Sequence, residues 1–556
     1  VPKPLTPERV RAAVSEHNEM WNGLLPEMRR YKHAYATRMW EKEANDLEDP
    51  IELSRGYEFV EGFVSALFDR DPAVRAGKDI ASRGDRDVCT AVANEYLKHG
   101  YREDGEVSTR LGLIYTHSFL VLRPCDHSDP LRRVEQEVAQ PWDVVLDLTA
   151  KKWSKQRFVI PRYWLRVEEA AEKWTKGNTA DFGGRAYEDY LTRSETQHAL
   201  LGDEEKTSGE WVRIYEVYDL RSDKLFIWCP QYKNGEEWLD DGVEVQVGEG
   251  DDAKTVKADH IPYRDTDDRP VLPVVPVYLS FQPDEPLKGY SAIQRVYDLI
   301  REFNVTRSNQ LAGTKRWGRQ AIARKGLLTD DAKDDIRDGQ DGTIIEVESQ
   351  TGEDLRKSIV PLDFGAVPAE LSAMYSNLLE DWGQASLTAP FTRGQVAGGR
   401  TTAREVEALM SYSNSELGKT ARRKDAVTET VAQVYVDMLR FVLGDAKLTV
   451  VLNDETVVLD TAKLEGRRRY YARDAGSTPA SREVEKNEFL AITPTLIEKL
   501  QVPVEDVRKE FLRRFGLPKE WSAAAAAQPQ EQPPPAAGAS STPMPPGPPG
   551  VPAPIN

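Results

Sequence analysis

The sequence predicts an α+β fold of several domains, and three observations predict it. Apolar residues recur at three- and four-residue steps through the first 120 residues and again from about residue 290. Between these regions, residues 118–290 break into short alternating runs rich in β-branched and aromatic residues. Those runs follow one another with a single short helical segment among them, not in the regular βαβ alternation that a parallel sheet requires.

Element by element, TPERVRAAVSEHNEMWNGL begins with Thr6 as an N-cap, Pro7 at the first helical position and Glu8 close behind, so a helix starts there. In residues 52–68, Leu53, Tyr57, Val60, Val64 and Phe68 form one expected buried helical face. Residues 87–100 read as a helix closed by Gly100 as C-cap glycine. STRLGLIYTHSFLVLRP passes from helix to strand. WDVVLDL, RFVIPRYWLRV and WVRIYEVYDLRSDKLFIWCP read as strands, the last as a hairpin turning at Arg221-Ser222-Asp223-Lys224. EEAAEKWTK (168–176) is a short helix among them, and VEVQVGEG and VLPVVPVYLSF continue the β signal.

Helix returns at 291–313, where Ile293, Val296, Ile300 and Phe303 share a stripe. Residues 314–365 are mixed: the basic KRWGRQAIARKG, the acidic TDDAKDDIRDGQDG, the strand-like TIIEVES and a turn at Thr351-Gly352. Residues 368–385 are helical, a glycine-rich loop follows, and 401–445 reads as one long helix, with a kink expected near Ser411–Gly418 where serines and a glycine weaken it. KLTVVLNDETVVLD turns at Asn453-Asp454 as a hairpin, and a final helical group precedes an Ala/Pro/Gly-rich tail from residue 523 that is too poor in apolar side chains to order itself.

Bulk properties narrow the function. The 556 residues suffice for roughly two to four domains. A net charge of −18 makes the chain a poor candidate for wrapping DNA tightly, since phosphate neutralisation needs Lys and Arg. No apolar run is long enough for a membrane span, and VPKPLTPERV lacks the apolar core of a secretory signal, so a cytoplasmic place of synthesis and use is expected. Cys89, Cys125 and Cys229 are widely spaced and read as free thiols.

Candidate chemistry centres on GQVAGGRT (394–401). Gly394, Gly399 and Thr401 match the spacing of a phosphate-binding loop, but Arg400 replaces the lysine and the preceding segment reads as helix, not strand. The acidic stretch around Gly339 fails as a Ca²⁺ loop, because Ile336 and Ile345 fall on ligand positions. CDHSD (125–129) has metal-ligand types but no partner segment. Neither G-x-S-x-G nor H-E-x-x-H occurs, so no catalytic residue, metal ligand or cofactor is assigned. KRWGRQAIARKG offers Lys315, Arg316, Trp317, Arg319, Arg324 and Lys325 either as a solvated face or as a contact surface for nucleic acid or an acidic partner.

Three segments, YSAIQRVYDLIREFNVTRSNQLAG, LTAPFTRGQVAGGRTTAREVEALMSYSN and SALFDRDPAV, together with the order of parts over about residues 5–520, resemble the portal (head-to-tail connector) proteins of tailed bacteriophages, most closely those of short-tailed phages. The phrase Gly399-x-x-Thr402-Ala403-x-Glu405-Val406 before a long helix adds to the likeness. The resemblance implies an N-terminal wing (1–289), a first stem helix (290–313), a mixed α/β clip (314–366) and a second stem helix (367–385). It further implies a tunnel loop (386–401), a long kinked wing helix with a β-hairpin (402–479), a helical crown (480–521) and a disordered tail (522–556). It implies a homo-oligomeric, dodecameric ring at one capsid vertex through which double-stranded DNA is packaged and ejected. The implied partners are the terminase large subunit, head-tail adaptor and tail proteins, and the major capsid and scaffolding proteins. The implied location is the virion, after assembly in the host cytoplasm, and no enzymatic activity or membrane is implied. Arg393, Gln395 and Arg400 would meet DNA, with Val396 and Ala397 at the loop tip. The alternatives are a nucleotide-dependent packaging motor or nuclease using 394–401, another minor head protein, and, for the loop, a plain helix–helix connector.

Overall fold

The computed structural model describes residues 4–40, 50–68, 71–77, 83–182, 211–247, 254–258, 260–265, 268–280, 289–316, 321–323, 359–361, 369–385, 403–444, 447–452, 455–460 and 470–472, with isolated residues beyond. The chain divides into two compact units, Val1–Ala480 and Ser481–Asn556, and every element below belongs to the first. The fold is mixed α+β, and every strand pairing among the described residues is antiparallel.

Helix α1 (Pro7–Tyr35) starts as its sequence requires: Thr6 Oγ1 accepts from Arg9 N at 3.5 Å, and Pro7 opens the first turn. Helix α2 (Arg55–Leu67) buries Phe59, Val60, Val64 and Leu67. Tyr57, expected on that face, is 50 % exposed, because it lies at the edge of the stripe and leans its ring against Tyr35, 5.5 Å away. Strand β1 (Val74–Ala76) and helix α3 (Arg83–Tyr96) follow.

Gly100 does not cap α3. A π turn over Leu97–Tyr101 carries the chain directly into α4 (Arg102–Ile114). The glycine is needed there for space, since a Cβ would meet the Tyr96 ring at 2.8 Å.

Strands β2 (Ser118–Pro124) and β3 (Val134–Ala139) pair, and β4 (Val144–Leu146), β5 (Phe158–Arg166), β6 (Trp211–Asp219) and β7 (Lys224–Trp228) form a four-stranded sheet in that order. The β6–β7 turn falls where its residues predict, with Asp223 at φ 55° and Asp219 Oδ1 accepting from the Arg221 amide at 3.1 Å. Helix α5 (Val167–Thr175) packs on this sheet, ending at Lys176 in the left-handed region. Strands β8 (Val243–Val247) and β9 (Lys254–Ala258) make a ribbon, and β10 (Val274–Val277) completes the order β10-β2-β3.

Helix α6 (Ala292–Arg316) buries all four residues of its sequence stripe completely. Strand β11 (Ala321–Ala323) pairs with β12 (Ile359–Pro361). Helices α7 (Ala369–Ala385) and α8 (Ala403–Leu443) come next, the latter running for 41 residues without a break at Ser411–Gly418, where a kink is expected. Its C-terminal part is sunk in the core: Val431, Ala432, Tyr435, Val436, Met438 and Leu439 are fully enclosed. A helix buried nearly all round explains why its apolar stripe reads as broken. Strands β13 (Lys447–Leu452) and β14 (Glu455–Asp460) form the hairpin expected around residues 453–454, and β15 (Tyr470–Ala472) pairs back with β1. The strand-like TIIEVES, the Thr351-Gly352 turn, the acidic stretch at Gly339, the terminal helical group and the tail lie outside the described residues.

Candidate functional site

The elements that flank the glycine-rich loop are held firmly. Helix α6 is pinned at its start: Ser291 Oγ donates to the Ile114 carbonyl at 2.6 Å and sits 3.4 Å from the Gln294 amide as an N-terminal cap. Just before it, Gly289 lies so close to the end of α4 that a Cβ would stand 1.9 Å from the Thr116 carbonyl oxygen. Farther along, Asn304 Oδ1 accepts from the Leu53 amide at 2.9 Å, and Ser308 Oγ accepts from the Ile51 amide at 2.8 Å. These buried side chains satisfy backbone groups of the segment leading into α2, which would otherwise be costly to bury.

Helix α7 lies along α6 on one narrow seam. Leu378 and Trp382 are buried; Trp382 meets Phe303 and Phe59 edge-on, each at 5.9 Å, and Tyr375 meets Phe303 at 5.6 Å. Arg55 closes this aromatic cluster, its guanidinium 5.3 Å from the Phe303 ring centre and 6.0 Å from that of Trp382. Gln310 Nε2 donates to the Leu371 carbonyl at 3.2 Å. The rest of α7 is open, with Met374 39 % and Leu379 42 % exposed.

Helix α8 is anchored by polar contacts as well as packing. Lys424 Nζ donates to the Leu67 carbonyl at 3.2 Å over the Phe68 ring, Arg423 donates to the Leu279 carbonyl at 2.6 Å, and Tyr435 donates to the Leu131 carbonyl at 2.7 Å while stacked on Tyr96 at 3.8 Å. Residues 386–402 therefore connect one helix fixed by Trp382 to another fixed in the core. The last described element before GQVAGGRT is a helix, as read from the sequence, whereas a phosphate loop leaves a strand.

Of the sequence-derived site residues, Arg393, Gln395, Val396, Ala397 and Arg400 lie outside the described residues, as do Trp317, Arg319, Arg324 and Lys325. Lys315 and Arg316 are the last two residues of α6. Among the described residues no group of His, Cys, Asp and Glu could hold a metal ion. CDHSD is a turn: Cys125 Sγ contacts the Arg132 carbonyl oxygen at 3.1 Å, His127 Nδ1 accepts from the Asp129 amide at 2.9 Å, and Asp129 caps the short helical turn at Leu131. None of the three cysteines is in a disulfide. No described helix is long and apolar enough to cross a membrane.

A second feature was not singled out from the sequence. A cleft of about 290 Å³ opens between the β2–β3 and β5–β6 strand pairs. Arg162, Trp164, Trp211 and Arg213 line it from the β5–β6 strand pair, which sets arginine against aromatic across the strands three times: Arg162 with Tyr215, Trp164 with Arg213, and Arg166 with Trp211. Each guanidinium lies over its partner ring, at 6.0, 5.1 and 5.5 Å respectively. Arg213 donates to Asp143 Oδ1 at 3.1 Å, and Arg162 donates to Asn18 Oδ1 at 2.7 Å. Behind the wall, His17 and His117 are buried among Trp21, Trp142 and Phe119. Burial above all, helped by the charge of Arg162, pushes His17 down to about 3, and burial pushes His117 down to about 3, so both rings are neutral.

No protein-family model matches the chain, and no curated protein matches it.

Proposed function

We propose that the protein is the portal of a tailed bacteriophage. In this reading identical subunits close into a ring of about twelve at one capsid vertex, and DNA passes through the central channel during packaging and ejection. The observation that carries the reading is the paired helices α6 and α7, with the strands β11 and β12 between them in sequence and a 41-residue helix after them. That order of elements is consistent with the stem, clip, stem, tunnel loop and wing helix that the resemblance implies.

Three physical features support it. Helix α7 buries only one seam and leaves Met374 and Leu379 in the open, as a helix does when a neighbouring copy supplies its other face. The chain is strongly acidic, so a ring of it would repel the DNA backbone and let it slide, while a few arginines make brief contacts. Glycines at 394, 398 and 399 would let the loop take backbone angles closed to other residues as it follows the duplex. Terminase would dock at the clip (314–366) and supply the ATP hydrolysis; adaptor and tail proteins would take its place there later.

Negative-stain images of the purified protein test the proposal: rings with an open axial channel are expected. ATP hydrolysis by the purified protein, abolished by Arg400→Ala, would replace it with the motor reading.

A further inference from the structure

Strand β3 is an edge: β2 lies on one side of it and, among the described residues, no strand lies on the other. We propose that this edge takes a basic, extended segment of a partner protein as an added strand. Leu122 N–H donates to the Pro273 carbonyl at 2.8 Å, and Cys125 N–H donates to the Arg133 carbonyl at 2.9 Å. The even-numbered residues of β2 therefore turn their backbone groups to β10 and the odd-numbered ones to β3. By register Glu135, Glu137 and Ala139 lie opposite Arg123, Val121 and Phe119 and hold the β2 bonds. Gln136 and Val138, between them, direct N–H and C=O away from β2, where no described backbone group bonds them. Residues 135–140 are all at least partly exposed, so this row of donors and acceptors is open to another chain.

The side chains around the edge are acidic. Glu135 is exposed, and the Glu137 side chain is 57 % exposed. On the other face of the strand, Gln136 Nε2 donates to Asp104 Oδ2 at 3.3 Å, and Glu103 before it in sequence is exposed. Burial above all, together with the charges of Glu103 and Glu137, raises the Asp104 carboxyl above its ordinary value, so these carboxylates share one field. Arg123 is divided between Glu137 and Glu216 and cancels only part of it.

Charge chooses the occupant. A second copy of β3 laid on this edge would set glutamate beside glutamate, and like charges across a strand pair are unfavourable. A strand with lysine or arginine at alternate positions meets Glu135 and Glu137 instead, within the roughly 5 Å between Cβ atoms of paired strands. Its remaining side chains lie beside Gln136 and Val138, where small polar or apolar residues fit. Main-chain bonds then give affinity, and the alternate charges give the choice of partner. The same carboxylates repel the phosphates of a nucleic acid.

The test uses the full chain and a fluorescein-labelled heptapeptide, Thr-Lys-Val-Lys-Val-Lys-Thr, followed by fluorescence anisotropy. Saturable binding is expected. The counterpart with glutamate for lysine should bind at least about tenfold more weakly, and so should the lysine peptide N-methylated along its length, which keeps the charges and loses the strand bonds. Val138→Pro removes one outward N–H and no β2 bond, a change that an edge strand tolerates, and should weaken binding about tenfold. Glu135→Lys, at an exposed site, should do the same, while Glu236→Lys, exposed beyond β7, should change nothing. Equal binding of the lysine and glutamate peptides, undiminished binding of the N-methylated one, or binding indifferent to both β3 variants would overturn the proposal. Self-association of the chain abolished by Val138→Pro would overturn it in favour of a second copy. Peptide binding is read whatever the oligomeric state, so its failure is distinct from failure of the ring.

Discussion

Trp382→Ala removes the centre of the α6–α7 seam. The indole is 1 % exposed and touches rings from two other helices, Phe303 of α6 and Phe59 of α2, with Arg55 over it. Truncating a buried aromatic to alanine costs about 3–5 kcal/mol, from the forfeited transfer energy and the cavity left behind. The two edge-on ring contacts and the cation–π contact are part of that figure, each on the order of 1 kcal/mol. The effect is local, because the buried part of α7 rests on little else than Leu378 and Tyr375, and an isolated helix of this length is marginal in water. Hydrogen exchange of the 369–385 amides should therefore speed up by between about a hundredfold and several thousandfold, as a local opening free energy falls by that amount. Exchange of the core half of α8 should stay unchanged. Trp382→Phe should recover much of the protection, while Met374→Ala on the open side should shift a lone subunit by less than about 0.5 kcal/mol. Unchanged exchange across α7 in Trp382→Ala, or a uniform rise through α8, would refute the seam as the element that holds α7.

The same physics bears on other sites. His17 and His117 sit at about 3 in the fold against an ordinary value of 6.5, so the unfolded chain binds more protons between those limits. Their contribution is intact above about pH 6.5 and is lost as pH falls toward 3, at roughly 1.4 kcal/mol per pH unit for each ring, and a urea-midpoint series against pH should flatten in His117→Gln. Gly289→Ala should destabilise the α6 anchor by about 3 kcal/mol or more, read as a lower melting temperature, because its Cβ would overlap the Thr116 carbonyl. Gly62→Ala, where a Cβ meets nothing within 4 Å on an exposed face of α2, should instead stabilise by about 0.5–1 kcal/mol in the same melt. If the loop touches DNA, the Arg393→Ala, Arg400→Ala double variant should lower the slope of log affinity against log salt by about one for each phosphate that an arginine no longer neutralises, measured with duplex DNA on assembled protein.

Local chemistry made much of the fold legible. Thr6-Pro7-Glu8 marks the start of α1, Arg221–Lys224 and Asn453-Asp454 mark hairpin turns, and the Ile293–Phe303 stripe reports a buried face because its period is that of a helix. Gly100 misleads because a glycine near the end of a periodic run has two uses, a left-handed cap or room for a neighbour, and only the Tyr96 ring decides between them. The β1–β15 pairing joins residues almost 400 positions apart, and no local pattern encodes that. The arginine ladder was half visible: Arg162-x-Trp164-x-Arg166 and Trp211-x-Arg213-x-Tyr215 each alternate at strand period. Their meeting depends on a register between strands separated by a long insertion, which periodicity alone leaves open. The residues expected at DNA, Arg393, Gln395 and Arg400, rest on resemblance and charge, and the described structure bears on them only by fixing the helices on either side.

Native mass spectrometry of the purified full-length chain tests the central claim most directly. The portal reading predicts a closed assembly near 750 kDa, about twelve copies of the 62.7 kDa chain, that sheds subunits when Trp382→Ala loosens α7. A mass that stays at 62.7 kDa as concentration rises, with no ring at any ionic strength, would contradict it.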